Sequence, residues 1–451
     1  MFAIQKIAGC TLLASAAALL APIAQAAVPI QHWTLANGAQ VWLASVDSLP
    51  ILDLELDFDA GSRRDPAGQT GLASVTAEMV DKGIRAAPGS GPYPLAMDQN
   101  ALGEAWADLG ASFAAGAGSE RMSFSLRTLS NPALLDKAVA LAARQIGEPS
   151  FPADVWPGER DRIVASIKES NTKPATIASR AFAQAVYGSH PYGQETTEAT
   201  LARIDTSTMR ALYQQLIVPC RAKLSIVGAV TRPQAESIAM TLLSRLPASP
   251  AGCPALPPVP AVAPLAAPSE QRIPFDSAQT HVFIGEPGYL RSDPDHFALT
   301  LGNYVLGGGG FVSRLTEQVR EKRGLTYSIY SGFSPGLHAG AFRIGFQTRP
   351  DQAADAVKVS REVLAKFVAE GPSEAELKAA KDNLIGGFPL LLDSNRKLLG
   401  NIANIAWYGL PLDYLDTWTV RMNAVTTADI KAAFARKLQP ERMVTVIVGG
   451  S

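Results

Sequence analysis

The chain of 451 residues is too long for one ordinary hydrophobic core, so we expect two domains of about 200 residues each. Apolar residues make up 47% and charged residues 18%, which is typical of a globular protein and excludes an intrinsically disordered one. The 40 Lys and Arg residues balance 41 Asp and Glu residues, so the charge gives no reason to expect nucleic acid or an anionic membrane as a partner.

The first predicted segment is an export signal over residues 1–26. A short start containing Lys6 precedes the apolar run IAGCTLLASAAALL, and the AQA at residues 24–26 matches the small-x-small pattern of a cleavage site. We therefore expect a periplasmic protein whose mature chain begins at Ala27, with 39 basic and 41 acidic residues after the loss of Lys6. No later apolar run is long enough to predict a membrane span.

The stretch TGLASVTAEMVDKG, Thr70–Gly83, predicts an amphipathic helix because its apolar residues recur at helical spacing. Ser74 and Glu78 are four residues apart and so share one face of that helix. A zinc hydrolase needs three protein ligands, an open fourth position and a nearby Glu as base. No two His residues of the chain are four apart, so none forms a helical metal-binding pair; the five are His32, His190, His281, His296 and His338.

Strands and helices are predicted in both halves of the chain. Strict alternation of apolar and polar residues predicts strands at 41–45, 51–61, 121–129, 280–288 and 341–349. Helical periodicity predicts helices at 131–146, 157–170 and 350–371. Strands and helices mix without regular βαβ alternation, so we predict the α+β class, with a mixed or antiparallel sheet in each half and helices packed on one face.

A Pro- and Ala-rich stretch predicts a semi-rigid linker at residues 247–271. This linker separates an N-terminal domain, residues 27–246, from a C-terminal domain, residues 272–451. Cys220 and Cys253 either form a disulfide, as an exported protein permits, or stay separate thiols, and the sequence leaves both alternatives open.

The two halves contain a repeated unit. MRALYQQLIVPCRAKLSIVGA from Met209 aligns without a gap with IKAAFARKLQPERMVTVIVGG from Ile430, at an offset of 430 − 209 = 221. Both copies have the pattern of an amphipathic helix, a Pro-containing turn and an apolar strand that ends in Gly. Because the copies lie near the end of each half, we infer an internal duplication.

The most informative run of the second half is GGGGFVSRLTEQVREKRGLTYSIYSGFSP. It opens with four glycines that lack the Lys-Ser/Thr of a phosphate loop and predict a mobile loop: Gly307, Gly308, Gly309 and Gly310. Ser313–Lys322 predicts a charged amphipathic helix, with Leu315 and Val319 on its inner face, and Gly324 ends it.

The residues after this helix, LTYSIYSGF, alternate as a strand. Arg320 lies in the last predicted helical turn and Tyr327 early in the predicted strand, and because the chain can reverse between them both could face one cleft. The residues alone favour a purely structural interpretation, with a surface Arg at a helix end and a Tyr on a half-buried sheet.

The whole mature chain resembles the pitrilysin/insulinase family of inverted zinc peptidases, which includes the mitochondrial processing peptidase. Three stretches carry the resemblance in order: LANGAQVWLASVDSLP, DFDAGSRRDPAGQTGLA and LGGGGFVSRLTEQVREKRGLTYSIYSGF. The last stretch is long and ungapped. The resemblance implies two homologous α+β halves, in agreement with the 221-residue offset, and two such chains around a chamber.

The resemblance also implies that the zinc site is lost. Catalytic members carry His, Glu and His where this chain has Ser74, Ala77 and Glu78. Their further Glu ligand falls near Ala165 and Ser166, neither of which binds zinc. We therefore expect no cofactor in this chain and no peptidase activity from the chain alone.

The Arg and Tyr of the family's second-half motif are matched by Arg320 and Tyr327. In relatives these two side chains reach the substrate from the side opposite the zinc, where they stabilise the transition state. The resemblance thus implies a heterodimer in which a homologous partner subunit carries the zinc and acts on peptides, with Gly307–Gly310 as a substrate-binding loop. The alternative is a catalytically inactive structural or peptide-binding relative.

Overall fold

The computed structural model describes residues 28–450 except residues 88, 90 and 249–251, so the predicted export signal lies outside the described residues. The main elements of the first half are β1 (Ile30–Thr34), β2 (Gln40–Ser45), β3 (Ile51–Phe58), α1 (Leu72–Val80), β4 (Gly83–Ile84), β5 (Met97–Asp98), α2 (Gln99–Asp108), β6 (Ser112–Ala117), β7 (Met122–Leu129), α3 (Pro132–Gly147), α4 (Trp156–Ser170), α5 (Pro174–Tyr187), α6 (Glu198–Leu201), α7 (Thr206–Leu216), β8 (Lys223–Gly228) and α8 (Arg232–Leu243).

The second half is built in the same manner. Its main elements are β9 (Ser269–Ile273), β10 (Thr280–Tyr289), α9 (His296–Asn303), β11 (Ile329–Phe333), β12 (Gly340–Thr348), α10 (Ala353–Glu370), α11 (Glu374–Gly387), α12 (Asn395–Tyr408), α13 (Tyr414–Ala424), α14 (Thr427–Lys437) and β13 (Val444–Val448). Two π-helical segments, Tyr304–Gly308 and Thr316–Glu321, lie between α9 and β11. Every strand and helix that the sequence predicts has a counterpart in the structure.

The order of strands confirms the duplication. The first sheet has the order β1-β2-β8-β3-β7-β6, and the second has β9-β13-β10-β12-β11. In each sheet one pair is parallel, β2 with β8 and β9 with β13, and the other pairs are antiparallel. Lys223 and Val444 open the two equivalent strands β8 and β13, and 444 − 223 again gives 221. The α+β class with two homologous halves is therefore confirmed.

The start of the second half differs from the predicted domain boundary. β9 begins at Ser269, three residues inside the predicted linker of residues 247–271, and it pairs with β13. The cause is the duplication itself, because β9 takes the place in the second sheet that β2 takes in the first. Compositional bias does not reveal a short exposed strand whose partner lies far along the chain.

Alternation along the strands creates one large core in each half. In β3 the residues Leu52, Leu54, Leu56 and Phe58 alternate with charged residues and are buried against the helices of the first half. Burying one such side chain fully stabilises the fold by about 1.5–3 kcal/mol, and the buried residues of α1, α3, α7 and α8 join the same core. The helices α9, α10 and α14 cover the second sheet in the same way.

Each sheet is also covered on its other face by a helix from the opposite half. α5 packs on β10 and β13, where Phe182 and Val186 contact apolar residues of the second sheet. α12 packs on β8 and β3 of the first sheet. Because 395 − 174 is 221, the two exchanged helices are equivalent copies of one element. The exchange ties the halves together more closely than the linker alone.

The linker is fastened to the first half by covalent and polar contacts. Cys220 and Cys253 form a disulfide, with their Cα atoms 5.5 Å apart. The Arg221 guanidinium donates to the Pro254 carbonyl, and a ring nitrogen of His190 lies 3.0 Å from the Pro260 carbonyl. Of the helices that the structure describes, none combines the length and apolarity needed to cross a membrane.

Candidate functional site

The helix α1 is held at its start by a buried carboxylate. The two Asp65 oxygens accept hydrogen bonds from the backbone amides of Gly71, at 2.7 Å, and Ala73, at 2.8 Å. These bonds satisfy amides that the helix itself leaves unpaired. Burial raises the pKa of Asp65 to about 6, although the backbone donors oppose that rise. The predicted helix at Thr70–Gly83 is therefore confirmed, with α1 spanning Leu72–Val80.

The three positions that match the family's zinc motif share one face of α1 but differ in burial. Ala77 is completely buried in the core, Ser74 is half-buried and Glu78 is exposed. On the facing helix α4, Ala165 and Ser166 are both exposed. Two hydroxyls, two methyl groups and one carboxylate do not form the nitrogen, sulfur and oxygen donor set that zinc takes in proteins.

Glu78, the one carboxylate among these five residues, is paired with an arginine. The Arg162 guanidinium, on α4, donates from Nη2 to Glu78 Oε2 and from Nε to Glu159 Oε2, each at 2.9 Å. Lys82 Nζ lies 2.7 Å from Glu159 Oε1. The hydrogen bond from Lys82 holds the pKa of Glu159 below its usual value. Two cations thus balance two carboxylates, and among the described residues no group of three His, Cys, Asp or Glu side chains could hold a metal ion.

Two of the histidines contribute to the contact between the halves. His190 and His338, from opposite halves, contact each other with ring centroids 5.2 Å apart. His190 Nδ1 accepts the Tyr192 amide at 3.1 Å, so its other ring nitrogen carries the proton and donates to the Pro260 carbonyl. Burial lowers the pKa of both His190 and His338. Both rings therefore belong to the contact between the halves.

The glycine run of the second half is not the mobile loop that the sequence predicts. Gly307 and Gly308 lie in the π-helix Tyr304–Gly308, and Gly307 is buried. A Cβ on Gly307 would lie 2.5 Å from the Ser331 hydroxyl oxygen, so glycine lets this helix approach β11 closely. The prediction of a mobile loop is therefore wrong for these two residues, because close packing explains their lack of a side chain.

Gly309 also departs from the predicted loop. Its amide donates to the Tyr304 carbonyl at 2.8 Å, so it closes the last turn of the π-helix. A Cβ on Gly309 would lie 2.7 Å from that carbonyl oxygen and 3.0 Å from the Tyr304 ring, which explains the glycine by close packing again. Gly310, at φ +63°, makes the turn that follows and is the one position of the four where conformation rather than packing favours glycine.

This turn brings two large apolar side chains to the surface. Phe311 is 71% exposed and Val312 is 75% exposed. The Arg320 guanidinium carbon lies 4.6 Å from the centroid of the Phe311 ring, a cation–π contact. The Phe311 ring therefore holds the Arg320 side chain in place without neutralising its charge.

The helix that carries Arg320 is confirmed, but its hydrogen bonds are wider than those of an α-helix. Thr316–Glu321 is π-helical, and the Lys322 amide donates to the Glu317 carbonyl five residues earlier at 2.9 Å. Leu315 and Val319 are completely buried, as the sequence predicts. π-helical turns are rare in proteins, and those that do occur are often found at functional sites.

Tyr327 lies before the strand rather than in it. The strand β11 begins at Ile329, so the prediction that Tyr327 lies early in the strand is wrong. The cause is Thr326, whose hydroxyl bonds the Ser328 and Gln347 carbonyls and so turns the chain away from the sheet. Tyr327 is 88% exposed as a result, more than the other large apolar side chains that the structure describes as exposed.

Arg320 and Tyr327 flank one tight turn. The Gly324 amide donates to the Arg320 carbonyl at 2.8 Å, and Gly324 has φ +61° and ends the helix as predicted. Within the described part of the chain, neither the Arg320 guanidinium nor the Tyr327 hydroxyl has a hydrogen-bond or ion-pair partner. Both groups are hydrogen-bond donors of the kind that stabilise an oxyanion or a substrate carbonyl.

Sequence reasoning missed two residues of these surfaces. Arg162 is one of them: its spacing of three residues from Glu159 signals an ion pair, but nothing in the sequence places it beside Glu78 of another helix. Phe311 was overlooked because an apolar residue next to glycines does not indicate whether it is buried or exposed. Neither residue changes the roles expected of Arg320 and Tyr327.

Two family models match most of the described chain. A model described as insulinase (peptidase family M16) matches residues 43–200, and one described as peptidase M16 inactive domain matches residues 203–384. Among solved structures, a peptidase M16 inactive domain from Pseudomonas fluorescens is 33% identical, with a TM-score of 0.86 over 94% of this chain and 98% of that chain.

Other similar proteins differ in their described activity. The periplasmic protease PqqL from Escherichia coli is 18% identical with a TM-score of 0.78 over 94% of this chain and 46% of that chain, which shows the fold alone. An uncharacterized zinc protease of Streptomyces coelicolor is 28% identical over 297 residues, and the match spans 64% of that relative's length, less than two thirds. The non-peptidase homolog YmxG of Helicobacter pylori is 22% identical and aligns over 85% of each chain.

Proposed function

The chain belongs to peptidase family M16, the insulinase family, and from that premise we propose that it is the metal-free subunit of a heterodimeric periplasmic zinc peptidase. In this proposal a homologous partner subunit carries the zinc. This chain contributes Arg320 and Tyr327, which bind the peptide and stabilise the transition state at the partner's metal.

The exposure of Tyr327 is the observation that carries the proposal. A tyrosine that is 88% exposed contributes little to the core, and its hydroxyl bonds no described residue of its own chain. The Arg320 guanidinium on the same turn is likewise unpaired and is positioned by the Phe311 ring. Two donors that do nothing for the fold of their own chain are available to a second molecule.

The chemistry of the two donors fits hydrolysis of a peptide bond. When water attacks the scissile carbonyl, negative charge develops on its oxygen, and a tyrosine hydroxyl can donate to that oxygen without a change in its own protonation. A guanidinium can donate two parallel hydrogen bonds to neighbouring carbonyls and so align the peptide. Neither role requires a metal in this chain, and the residues around Ser74, Ala77 and Glu78 do not fit one.

The glycine run has a place in the same proposal. Gly309 and Gly310 lead from the π-helix into the exposed side chains of Phe311 and Val312. We propose that this corner, rather than all of Gly307–Gly310, contacts the peptide beside Arg320. The support is the cation–π contact that joins Phe311 to Arg320.

The ion pair at Glu78 supports the proposal that the partner subunit, and not this chain, carries the zinc. The carboxylate of Glu78 is already paired with Arg162, which places a permanent positive charge where a metal ligand would have to act. A guanidinium repels a divalent cation, so this ion pair opposes metal binding as well as replacing it.

A periplasmic location has three supports. Residues 1–26 have the pattern of an export signal. The Cys220–Cys253 disulfide fits an oxidising compartment, where such bonds persist. PqqL, which shares the fold, is described as a periplasmic protease.

A second candidate is a catalytically inactive relative that binds peptides or serves structure. The descriptions of the matching family model and of the Pseudomonas fluorescens structure as an inactive domain favour it, and so does the non-peptidase homolog of Helicobacter pylori. In that case Arg320 and Tyr327 would hold a peptide or a partner without contributing to turnover.

The test compares the purified chain with the chain isolated from its native periplasm through an affinity tag. Cleavage of a peptide mixture is measured with and without a zinc chelator, and the zinc content of each preparation is determined. We expect chelator-sensitive cleavage and zinc only in the native preparation, together with a second chain. Absence of cleavage in both preparations would favour the inactive relative, and one zinc per chain in the purified chain would contradict the proposed loss of the metal site.

A further inference from the structure

A cavity of about 430 Å³ lies between the end of α3, the helix α7 and the residues after α8. Its lining combines apolar and cationic side chains and contains none of the residues of the proposed function. The apolar part consists of Phe151, Tyr213, Ile217, Leu246 and two prolines, Pro149 and Pro247, and the cationic part of Arg85, Arg210 and Arg245. The volume is in the range of small-molecule and short-peptide sites, which starts at about 300 Å³.

Backbone features shape the cavity at two points. A Cβ on Gly147 would lie 2.2 Å from the Cβ of Arg245, so the glycine lets the chain after α8 approach the end of α3. Phe151 has φ +43°, and among the described residues it is the one non-glycine residue with a positive φ. Backbone strain of this kind persists where the surrounding structure requires it.

Contacts on both sides of Phe151 explain how this strained residue is held. The Arg210 guanidinium donates from Nη2 to the Phe151 carbonyl at 2.9 Å and to the Ser150 carbonyl at 3.0 Å. The Phe151 ring packs edge-on against Tyr213, with ring centroids 5.5 Å apart. The Tyr213 hydroxyl donates to the Ile146 carbonyl at 2.6 Å, so the aromatic wall turns its polar atom away from the cavity.

The cavity has a large excess of positive charge. Three guanidiniums line it, those of Arg85, Arg210 and Arg245, and a fourth, that of Arg144, donates to the backbone carbonyl of Arg85. One carboxylate, that of Glu148, accepts from Arg144 Nε and lies 3.8 Å from Arg245. Within the described residues no carboxylate lies within 4.0 Å of Arg85 or Arg210, and the residues outside the description include no Asp or Glu.

The buried member of this group is also incompletely satisfied. The Arg144 side chain is 1% exposed, its Nη2 donates to the Arg85 carbonyl, and its Nη1 has no partner among the described residues. Its charged partner, Glu148, also lies near Arg245, so one carboxylate is shared between these two arginines. The arginines of the lining are therefore available to pair with an anion from outside the chain.

We propose that this cavity binds the free carboxyl end of a peptide whose last side chain is apolar. The carboxylate lies against the arginines at the rim, since a planar guanidinium pairs with a carboxylate through two parallel hydrogen bonds. The apolar side chain packs on Phe151, Tyr213 and Leu246. The Gln214 side chain, also in the lining, offers an amide to the peptide backbone, which a fatty acid of the same charge would leave unused.

Isothermal titration calorimetry of the full mature chain tests this site with three probes. The first is Ala-Ala-Phe with a free carboxylate, the second is the same peptide with a carboxyl-terminal amide, and the third is decanoate. We expect the free acid to bind at least about tenfold more tightly than the amide, the size of effect that a charge-assisted hydrogen bond gives. Decanoate should bind more weakly than the free peptide.

Two variants locate the binding. The double variant Arg85→Gln and Arg245→Gln should lose at least about tenfold in affinity for the free peptide. Arg272→Gln is the matched control, because Arg272 is an exposed arginine paired with Glu270 and is absent from the cavity lining. It should bind as the wild type does, and thermal unfolding of each variant checks that the fold is kept.

Several results would overturn the proposal. Equal affinity for the free acid and the amide in the wild-type chain would remove the role of the carboxylate, whatever the variants do. Tighter binding of decanoate would make the site one for fatty acids, and unaltered affinity in a folded double variant would place the ligand elsewhere. The wild-type probe series needs no catalytic partner, so its failure is distinguishable from failure of the proposed peptidase role.

Discussion

The surface around Glu78 and the turn from Arg320 to Tyr327 differ in whether their polar groups are satisfied within the chain. Around Glu78, two carboxylates are paired with Arg162 and Lys82 at 2.7–2.9 Å. On the turn, the Arg320 guanidinium and the Tyr327 hydroxyl have no partner among the described residues. The charged groups of the first surface are therefore occupied by ion pairs within the chain. The two donors of the second surface are available to another molecule.

The two surfaces also differ in what their side chains contribute to the free energy of unfolding. The Arg162–Glu78 pair is exposed on both sides, and exposed ion pairs contribute about 0–1 kcal/mol, so this pair is not needed for folding. Exposing Tyr327 forgoes the stabilisation that burial of its ring would provide, about 1.5–3 kcal/mol for a large apolar side chain. A side chain kept exposed at that cost is better explained by function than by stability.

The largest effect is expected from Tyr327→Phe. The variant removes one hydroxyl donor, and loss of one oxyanion donor lowers kcat by about 10²–10³-fold. The proposal predicts such a fall in kcat of the native complex, with KM and assembly unchanged. Because Tyr327 is 88% exposed, thermal unfolding should also be unaffected.

The matched control for this variant is Tyr330→Phe. Tyr330 is three residues farther along and 43% exposed, and its ring contact with Arg343 is kept by phenylalanine. The control should turn over peptide at the wild-type rate. Equal turnover for both variants and the wild type would remove Tyr327 from the mechanism.

A smaller effect is expected from Arg320→Ala. A hydrogen bond from a charged group contributes about 1.5–3 kcal/mol, so kcat/KM of the complex should fall by about 10–100-fold. Arg323→Ala is the control, because the Arg323 guanidinium lies on the same helix end and bonds the Gln318 carbonyl at 2.6 Å. If the control loses as much activity as Arg320→Ala, general loss of positive charge rather than a specific contact explains the fall.

The smallest effect is expected from Glu78→Gln, which tests the surface whose charged groups are paired within the chain. The ion pair with Arg162 is solvent-exposed, so the free energy of unfolding should change by less than about 1 kcal/mol in urea denaturation. Turnover of the complex should be unchanged. A large loss of activity would show that Glu78 takes part in the chemistry despite its pairing.

The sequence predicted the fold well where the signal was local or repeated. The 221-residue offset predicted two related halves, and strand alternation located the sheets. The exchange of α5 and α12 was not predictable, because helical periodicity shows that a face is apolar without showing which sheet covers it. The contact of α5 is apolar, because Val444 and Val446 of β13 pack against it. The contact of α12 is more polar, because the equivalent residues of β8, Lys223 and Ser225, lie on the face that α12 covers.

The candidate site was predicted less completely. That Ser74, Ala77 and Glu78 do not form a zinc donor set could be inferred from residue types alone. The exposure of Tyr327 could not, since it depends on the Thr326 hydroxyl reaching the Gln347 carbonyl of β12, a contact between residues far apart in the chain. The packing role of Gly307 was hidden for the same reason, because its neighbour Ser331 lies on β11.

The most direct test of the account is a photo-cross-linking measurement in the native complex. Tyr327 is replaced with p-benzoyl-phenylalanine, the complex is mixed with a labelled peptide substrate and a zinc chelator to prevent cleavage, and the mixture is irradiated. The account predicts a cross-link between position 327 and the peptide, with a much weaker one when the same residue replaces Tyr330. A cross-link to the partner chain alone, or equal labelling from both positions, would contradict the claim that Tyr327 reaches the substrate.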